Sequence, residues 1–183
     1  MSDWFETLDG TLRHTWQQMA RATKDAKSPL RTAVLATMSE AGPQQRILIL
    51  RQASQSAATL TLFTDAATPK VAEMSSDPRV SIHLWDPRAQ WQLRLSGTAA
   101  LTPGPQETWD RMPEGAREVY GVTPTPGTPI PTPEDHDRTP DAAKFLQITI
   151  ALHQIESTHL GAPLHRRARF RADEGWAGQW VAP

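Results

Sequence analysis

The sequence predicts a mainly β fold, an antiparallel barrel with flanking helices. Three observations lead there. From Arg31 to about Thr102 the apolar residues alternate at the two-residue period of strands. Turn-forming clusters separate these runs at short intervals, so neighbouring strands pair antiparallel. A helical period is confined to the first residues and to short inserts. The 183 residues fit one domain, residues 1–183, long enough to bury a core without disulfide staples. No internal repeat and no boundary interrupts it.

Residues 3–25 predict the first helix. Trp4, Leu8, Leu12, Trp16 and Met19 recur at three- and four-residue spacing and share one face. Ser2 or Asp3 is the expected N-cap, Gly10 a tolerated weak point, and Lys24–Pro29 the end of this N-terminal helical region (1–27). Arg31–Met38 is the first strand, followed by turn chemistry at Ser39–Pro43. The second strand is Arg46–Gln52, with a polar loop at Ser54–Ser56, and the third is Thr59–Thr64. Thr68-Pro69 opens a short helix: Thr68 caps it, and Pro69 takes the first position, where its missing N–H costs nothing. Arg79–Trp85 and Trp91–Leu101 are the fourth and fifth strands. A helix is expected from Pro105 to Val119, then an irregular proline-rich loop at 121–140. Further strands follow near Lys144–Ile155, His165–Arg171 and Gly175–Val181.

Composition removes several function classes. Lys and Arg total 19 against 20 Asp and Glu, so there is no basic excess of the kind duplex-binding proteins carry, and no nucleic acid is expected as a partner. The absence of cysteine excludes disulfides, thiolate zinc sites and a cysteine nucleophile. The N-terminus is acidic, and no apolar run approaches the ~18 residues of a membrane span. The expectation is a cytoplasmic protein with no membrane partner. Six histidines are scattered without an H-E-x-x-H pattern, so no metal site is indicated. Dinucleotide, P-loop and serine-hydrolase motifs are also missing.

Candidate functional residues lie mostly on the strands. Arg46 and Arg51 bracket an apolar strand, and alternation over five positions puts them on opposite faces unless a bulge intervenes. Each either ends the strand in solvent or meets an anion. Thr64, Thr68 and Lys70 favour the anion, because a helix N-terminus presents free N–H groups and a positive dipole end. On the fifth strand Gln90, Gln92, Arg94 and Ser96 share a polar face, which is either solvated or lines a cleft for an amide-rich heterocycle. His165, Arg167, Arg169 and Arg171 form a basic face near the C-terminus, either a solvated edge or a phosphate- or acid-binding surface.

In this order of motifs the chain resembles the pyridoxamine 5'-phosphate oxidase-like FMN-binding split-barrel family. The resemblance is good over about 31–101, moderate over the last 25 residues and poor in the proline loop. The family's arginine, aliphatic run and basic residue read Arg46-Ile47-Leu48-Ile49-Leu50-Arg51. Its aromatic-threonine pair reads Phe63-Thr64, its serine-arginine-lysine reads Thr68-Pro69-Lys70, and its glutamine falls on Gln92. The C-terminal motif keeps His165 and Arg167 but has Pro163 in place of an arginine, and Ser157 replaces a flavin-contacting tryptophan. The vitamin B6-binding tyrosine, arginine and serine fall on Thr108, Met112 and Ala116 and are lost.

The resemblance implies an antiparallel split β-barrel of the FMN-binding type, acting as a homodimer with FMN at the interface. Arg46, Thr64, Thr68 and Lys70 would hold the phosphate; Gln92 and the backbone of Ile47–Leu50 would address the ring. Arg51 and Arg167 would stand near flavin or substrate, and Arg51 and His165 would meet the substrate. The implied activity is an FMN-dependent oxidoreductase distinct from the pyridoxamine phosphate oxidase itself, acting on an unidentified small molecule, with a nicotinamide compound as an allowed electron donor. Rival readings are deazaflavin or haem in place of FMN, and a non-catalytic sensor that binds a flavin or phosphorylated ligand.

Overall fold

The computed structural model describes residues 3–183. Among these residues nine antiparallel strands make one sheet: β1 (Thr32–Ser39), β2 (Gly42–Ile49), β3 (Gln52–Ser54), β4 (Thr59–Asp65), β5 (Arg79–Asp86), β6 (Trp91–Pro103), β7 (Phe145–His159), β8 (Arg166–Arg171) and β9 (Gly178–Val181). Their order is β2-β1-β5-β6-β7-β4-β3, with β8 added to β7 and β9 to β8. The two ends of this path are consecutive pieces of chain. Leu50 N donates to Arg31 O and Arg51 N to Thr61 O, both at 2.9 Å, so the strand exchanges partner between Leu50 and Arg51. The sheet thus curls until its two edges share one stretch of backbone, which gives a split barrel rather than a closed one.

The expected strand Arg46–Gln52 is therefore two strands, and β2 begins four residues earlier, at Gly42. Because β2 ends at Ile49, its alternation does not extend to Arg51, and the five-residue spacing says nothing about that side chain. The long strands β6 and β7 shift register between Ser96 and Gly97. Glycine is required there, since a Cβ at Gly97 would lie 2.4 Å from Ala151 O. Past this bulge β7 changes neighbour: Phe145–Ala151 pair with β4, and Gln154–His159 pair with β8. Inside the curl, Leu35, Leu62, Ile82, Leu84, Leu93, Leu95, Ile148 and Ile155 are fully buried.

Among the described residues four helices flank the sheet: α1 (Leu8–Ala22), α2 (Pro69–Ser76), α3 (Gln106–Arg111) and α4 (Glu114–Arg117). Helix α1 lies against β3, β8 and β9 and buries Trp16, Met19 and Ala22. Its N-cap is Thr7, whose hydroxyl accepts from Gly10 N at 3.0 Å; Asp3 precedes a separate 3-10 turn at Trp4–Glu6, and Ser2 lies outside the described residues. Gly10 is no weak point, because a Cβ there would meet Trp4 O at 2.6 Å. At the other end Arg31 Nη1 donates to Thr23 O at 3.0 Å and caps the helix with a cation, as the dipole favours. The expected helix from Pro105 to Val119 is two short pieces, since Pro113 lacks the N–H that would continue the first. The loop at 121–140 is irregular as expected, and a Thr123–Asp137 bridge draws its two sides together.

Candidate functional site

The first group of candidate residues meets where β2, β4 and α2 converge. Arg46 lies opposite the fully buried Leu35, so its side chain leaves on the interior face of the sheet. Its Nη2 donates to Glu73 Oε2 at 2.8 Å, and its Nη1 donates to Thr37 Oγ1, which in turn donates to Glu73. Glu73 stands on α2 one turn after Lys70, so the same helix presents a cation and an acid on one side.

Lys70 Nζ donates to Thr64 Oγ1 at 3.2 Å, and Thr64 and Thr68 hydroxyls are 3.3 Å apart. Burial lowers the Lys70 ammonium from its usual value, and the nearby Arg46 lowers it further, against opposition from Asp65 and Glu73. Thr68 occupies the N-cap position of α2 without capping through its side chain, because its hydroxyl donates to Asp65 O at 2.7 Å. A half-buried ammonium with three donors and one hydrogen bond is a group that an anion would stabilise.

A second group lies on the outer face of the sheet. Gln92 pairs with Thr158 and Thr158 with Arg167, so the three share one row across β6, β7 and β8. The next row holds Arg94, Glu156 and Arg169. Glu156, 6% exposed, accepts from Arg94 Nη2 at 2.8 Å and Arg167 Nη2 at 2.9 Å. The polar face expected on β6 is present, with Gln90 excluded from it because it sits in the preceding turn at φ +47. Arg167, Arg169 and Arg171 do share a face, while Ala168 and Phe170 turn inward; His165 falls just before the strand and is exposed. Ser157 is not on this face. It points into the core and accepts from Trp91 Nε1 at 2.8 Å, and Thr158 is the residue beside Gln92 and Arg167.

The third group is Arg51 and Phe63. The Arg51 guanidinium stands 5.7 Å from the Phe63 ring centroid, and its Nε is buried without a partner. Phe63 packs edge-on against Phe145 at 4.8 Å, in a small cluster with Trp109, Tyr120 and Met112. Burial raises the Tyr120 phenol above its usual value, although Arg51 pulls it back. Of the aliphatic run, Ile47 is 65% exposed, Leu48 and Ile49 are half-buried and Leu50 is wholly buried.

No hydrogen bond or ion pair among the described residues joins one of these groups to another. Thr37, Glu73, Glu156 and Thr158 are site members that sequence reasoning missed. The spacing of Lys70 and Glu73 was an available signal for one of them. The others depend on strand register. Among the described residues no cluster of three or more histidines and acids is placed to hold a metal ion, and no helix is long and apolar enough to cross a membrane.

Residues 13–103 match the family described as pyridoxamine 5'-phosphate oxidase, FMN-binding domain. No curated protein matches the sequence. Among solved structures, a pyridoxamine 5'-phosphate oxidase-related, FMN binding protein from Nostoc punctiforme PCC 73102 superposes with a TM-score of 0.72 at 21% identity, over 100% of this chain and 99% of its own. PhzG from Burkholderia lata 383, solved with tetrahydrophenazine-1-carboxylic acid, gives 0.69 at 17% identity over 94% and 91%. A protein related to general stress protein 26 from Clostridium acetobutylicum gives 0.59 at 11% over 92% and 98%. At these identities the structures establish the split-barrel fold. With the match over residues 13–103, they place the chain in the pyridoxamine 5'-phosphate oxidase-like, FMN-binding split-barrel family.

Proposed function

We propose that this protein binds FMN as a homodimer and acts as an FMN-dependent oxidoreductase on a small molecule other than a vitamin B6 phosphate. The half-buried Lys70 ammonium, with one hydrogen bond and a guanidinium beside it, carries this reading. Arg46, Thr64, Thr68 and Lys70 hold the phosphate through charge-assisted hydrogen bonds, roughly twice as strong as neutral ones. Gln92, with the backbone of Ile47–Leu50, orients the ring system. Arg51 and Arg167 each keep a buried Nε without a partner, which suits groups awaiting a ligand. Bound FMN supplies hydride and electron transfer, and the chain orients and tunes it.

The separation of the groups within one chain supports the dimer. The outer face also carries exposed apolar side chains at Ile47 and Trp85, which a second copy would cover. The positions of Thr108, Met112 and Ala116 oppose a vitamin B6 substrate. Met112 packs against the aromatic cluster, and Ala116 is exposed with no polar group to offer.

The test is an absorbance spectrum after FMN is added and the protein desalted, with reduction by NADH or NADPH followed in the same sample. Retained flavin absorbance is expected, and the double variant Arg46→Ala/Lys70→Ala should lose affinity by ~100-fold or more. Wild-type retention in that variant would overturn the phosphate assignment. Retained flavin that no donor reduces and no acceptor reoxidises would leave a binding or sensor role instead.

A further inference from the structure

Arg46 is gripped along one edge of its guanidinium. Its Nη2 donates to Glu73 Oε2 at 2.8 Å, its Nη1 donates to Thr37 Oγ1, and the Thr37 hydroxyl donates to the same Glu73 oxygen. Three side chains thus close a ring on the Nη1–Nη2 edge, and Nη1 also reaches Gln44 O at 3.3 Å. The other edge is Nε with the second hydrogen of Nη2. Nε has no partner among the described residues, and it is not sealed away as the unpaired Nε atoms of Arg51 and Arg167 are. Nε and Nη2 are a pair of donors that can meet two oxygens of one phosphate at once.

The ring joins three elements. Thr37 stands on β1, Arg46 on β2 and Glu73 on α2, one turn after Lys70. It therefore ties the strand that carries one cation to the helix that carries the other. Burial lowers the Lys70 ammonium and Arg46 lowers it further, the mark of two like charges near each other. With no anion between them such charges repel. A loose arginine also samples many rotamers, and fixing it before the ligand arrives removes that entropy cost from binding. Glu73 does both: it offsets the repulsion and holds the guanidinium still.

We propose that Glu73 and Thr37 are positioning residues for the cofactor phosphate, holding Arg46 by one edge so that its Nε–Nη2 edge meets two phosphate oxygens beside Lys70. This role rests on the FMN reading above and adds two residues that act on the ligand through Arg46. Glu73 then works against its own charge. An acid near a phosphate repels it, and only the grip on Arg46 makes this one favourable.

Titration of the full chain with FMN and with riboflavin, the same flavin without its phosphate, tests it through flavin fluorescence. The ratio of the two dissociation constants reports the grip on the phosphate and cancels effects on the ring. Glu73→Ala should lower this ratio by ~10-fold or more. Glu73→Gln keeps an oxygen for Arg46 and sheds the repelling charge, so its ratio should equal or exceed that of the wild type. Thr37→Val, which keeps the shape of a buried side chain, should lower the ratio several-fold. These two conservative variants decide the matter if Glu73→Ala does not fold. A ratio that Glu73→Ala or Thr37→Val leaves unchanged or raises would overturn the proposal, because the ring would then serve stability alone. So would a Glu73→Gln ratio as low as that of Glu73→Ala. A wild-type ratio near one would sink the phosphate reading and this role with it. A large wild-type ratio that the variants do not move would sink the positioning role and leave the FMN reading standing.

Discussion

Arg46 has two partners to serve, an acid of its own chain and the proposed phosphate, and the first can be measured without the second. The Arg46 and Glu73 side chains are 21% and 11% exposed, and Thr37 beside them is 2% exposed. Replacing Arg46 by methionine leaves the Glu73 carboxylate in a nearly dry site with only the Thr37 hydroxyl. For a fully buried pair such a loss costs about 3–5 kcal/mol, and the partial exposure of Arg46 reduces the expectation to about 2–4 kcal/mol. Replacing both members, Arg46→Met with Glu73→Leu, removes the stranded charge, and the double variant should lie within about 1 kcal/mol of the wild type. The cycle therefore predicts a coupling of at least about 2 kcal/mol. Urea unfolding without FMN, followed by tryptophan fluorescence, gives the four stabilities. Thermal midpoints should follow at roughly 2–4 °C per kcal/mol for a chain of this size. Additive single effects, to within about 0.5 kcal/mol, would refute the reasoning, because they would mean that water already solvates Glu73.

Two further outcomes follow from the same corner. Since burial and Arg46 depress the Lys70 pKa in the free protein, the ammonium is lost at lower pH than in an ordinary lysine. Below that depressed pKa the cation is present and anion binding is full; binding then fades as pH rises through it. FMN affinity measured across the alkaline range should begin to fall below ~10.4, the ordinary lysine value, and Lys70→Arg should postpone the fall; an unchanged profile in that variant would remove Lys70 from the site. Asp65 is 4% exposed and accepts from Ala67 N and Gly121 N at 2.6 Å each, which ties the turn before α2 to the start of the proline loop. Asp65→Ala strands both N–H groups at a cost of about 2–4 kcal/mol and should make residues 121–140 the first site of limited proteolysis; a wild-type cleavage pattern would show that the loop is held elsewhere.

Much of the fold was legible because it rests on local periodicity. Trp91, Leu93 and Leu95 alternate in the sequence and are buried in the structure. Thr68-Pro69 announced α2, and the proline density announced the loop at 121–140. Ends and breaks were less legible. The exchange of partner at Leu50–Arg51 leaves no local mark, since the run of aliphatics continues through it. The first helix was expected to be one piece from residue 3. Its real N-cap is Thr7, because Trp4 instead stacks on His14, 4.2 Å away across a turn.

What the sequence by itself determined was the inventory and its order: an antiparallel β protein, a helix opened by Thr68-Pro69, and the approach of Thr64, Thr68 and Lys70 to one another. Those three residues lie within seven positions, so the turn between β4 and α2 is enough to bring them together. Only the tertiary structure decided who their neighbours are. Glu73 reaches Arg46 because α2 packs on β1, and Glu156 reaches Arg94 and Arg167 because β6, β7 and β8 align in one register. Register is set by bulges and by burial summed over whole strands, and a slip of one residue would send each of these charges to the opposite face. For that reason Ser157 is a core residue holding Trp91, and Thr158 stands in the row of Gln92 and Arg167.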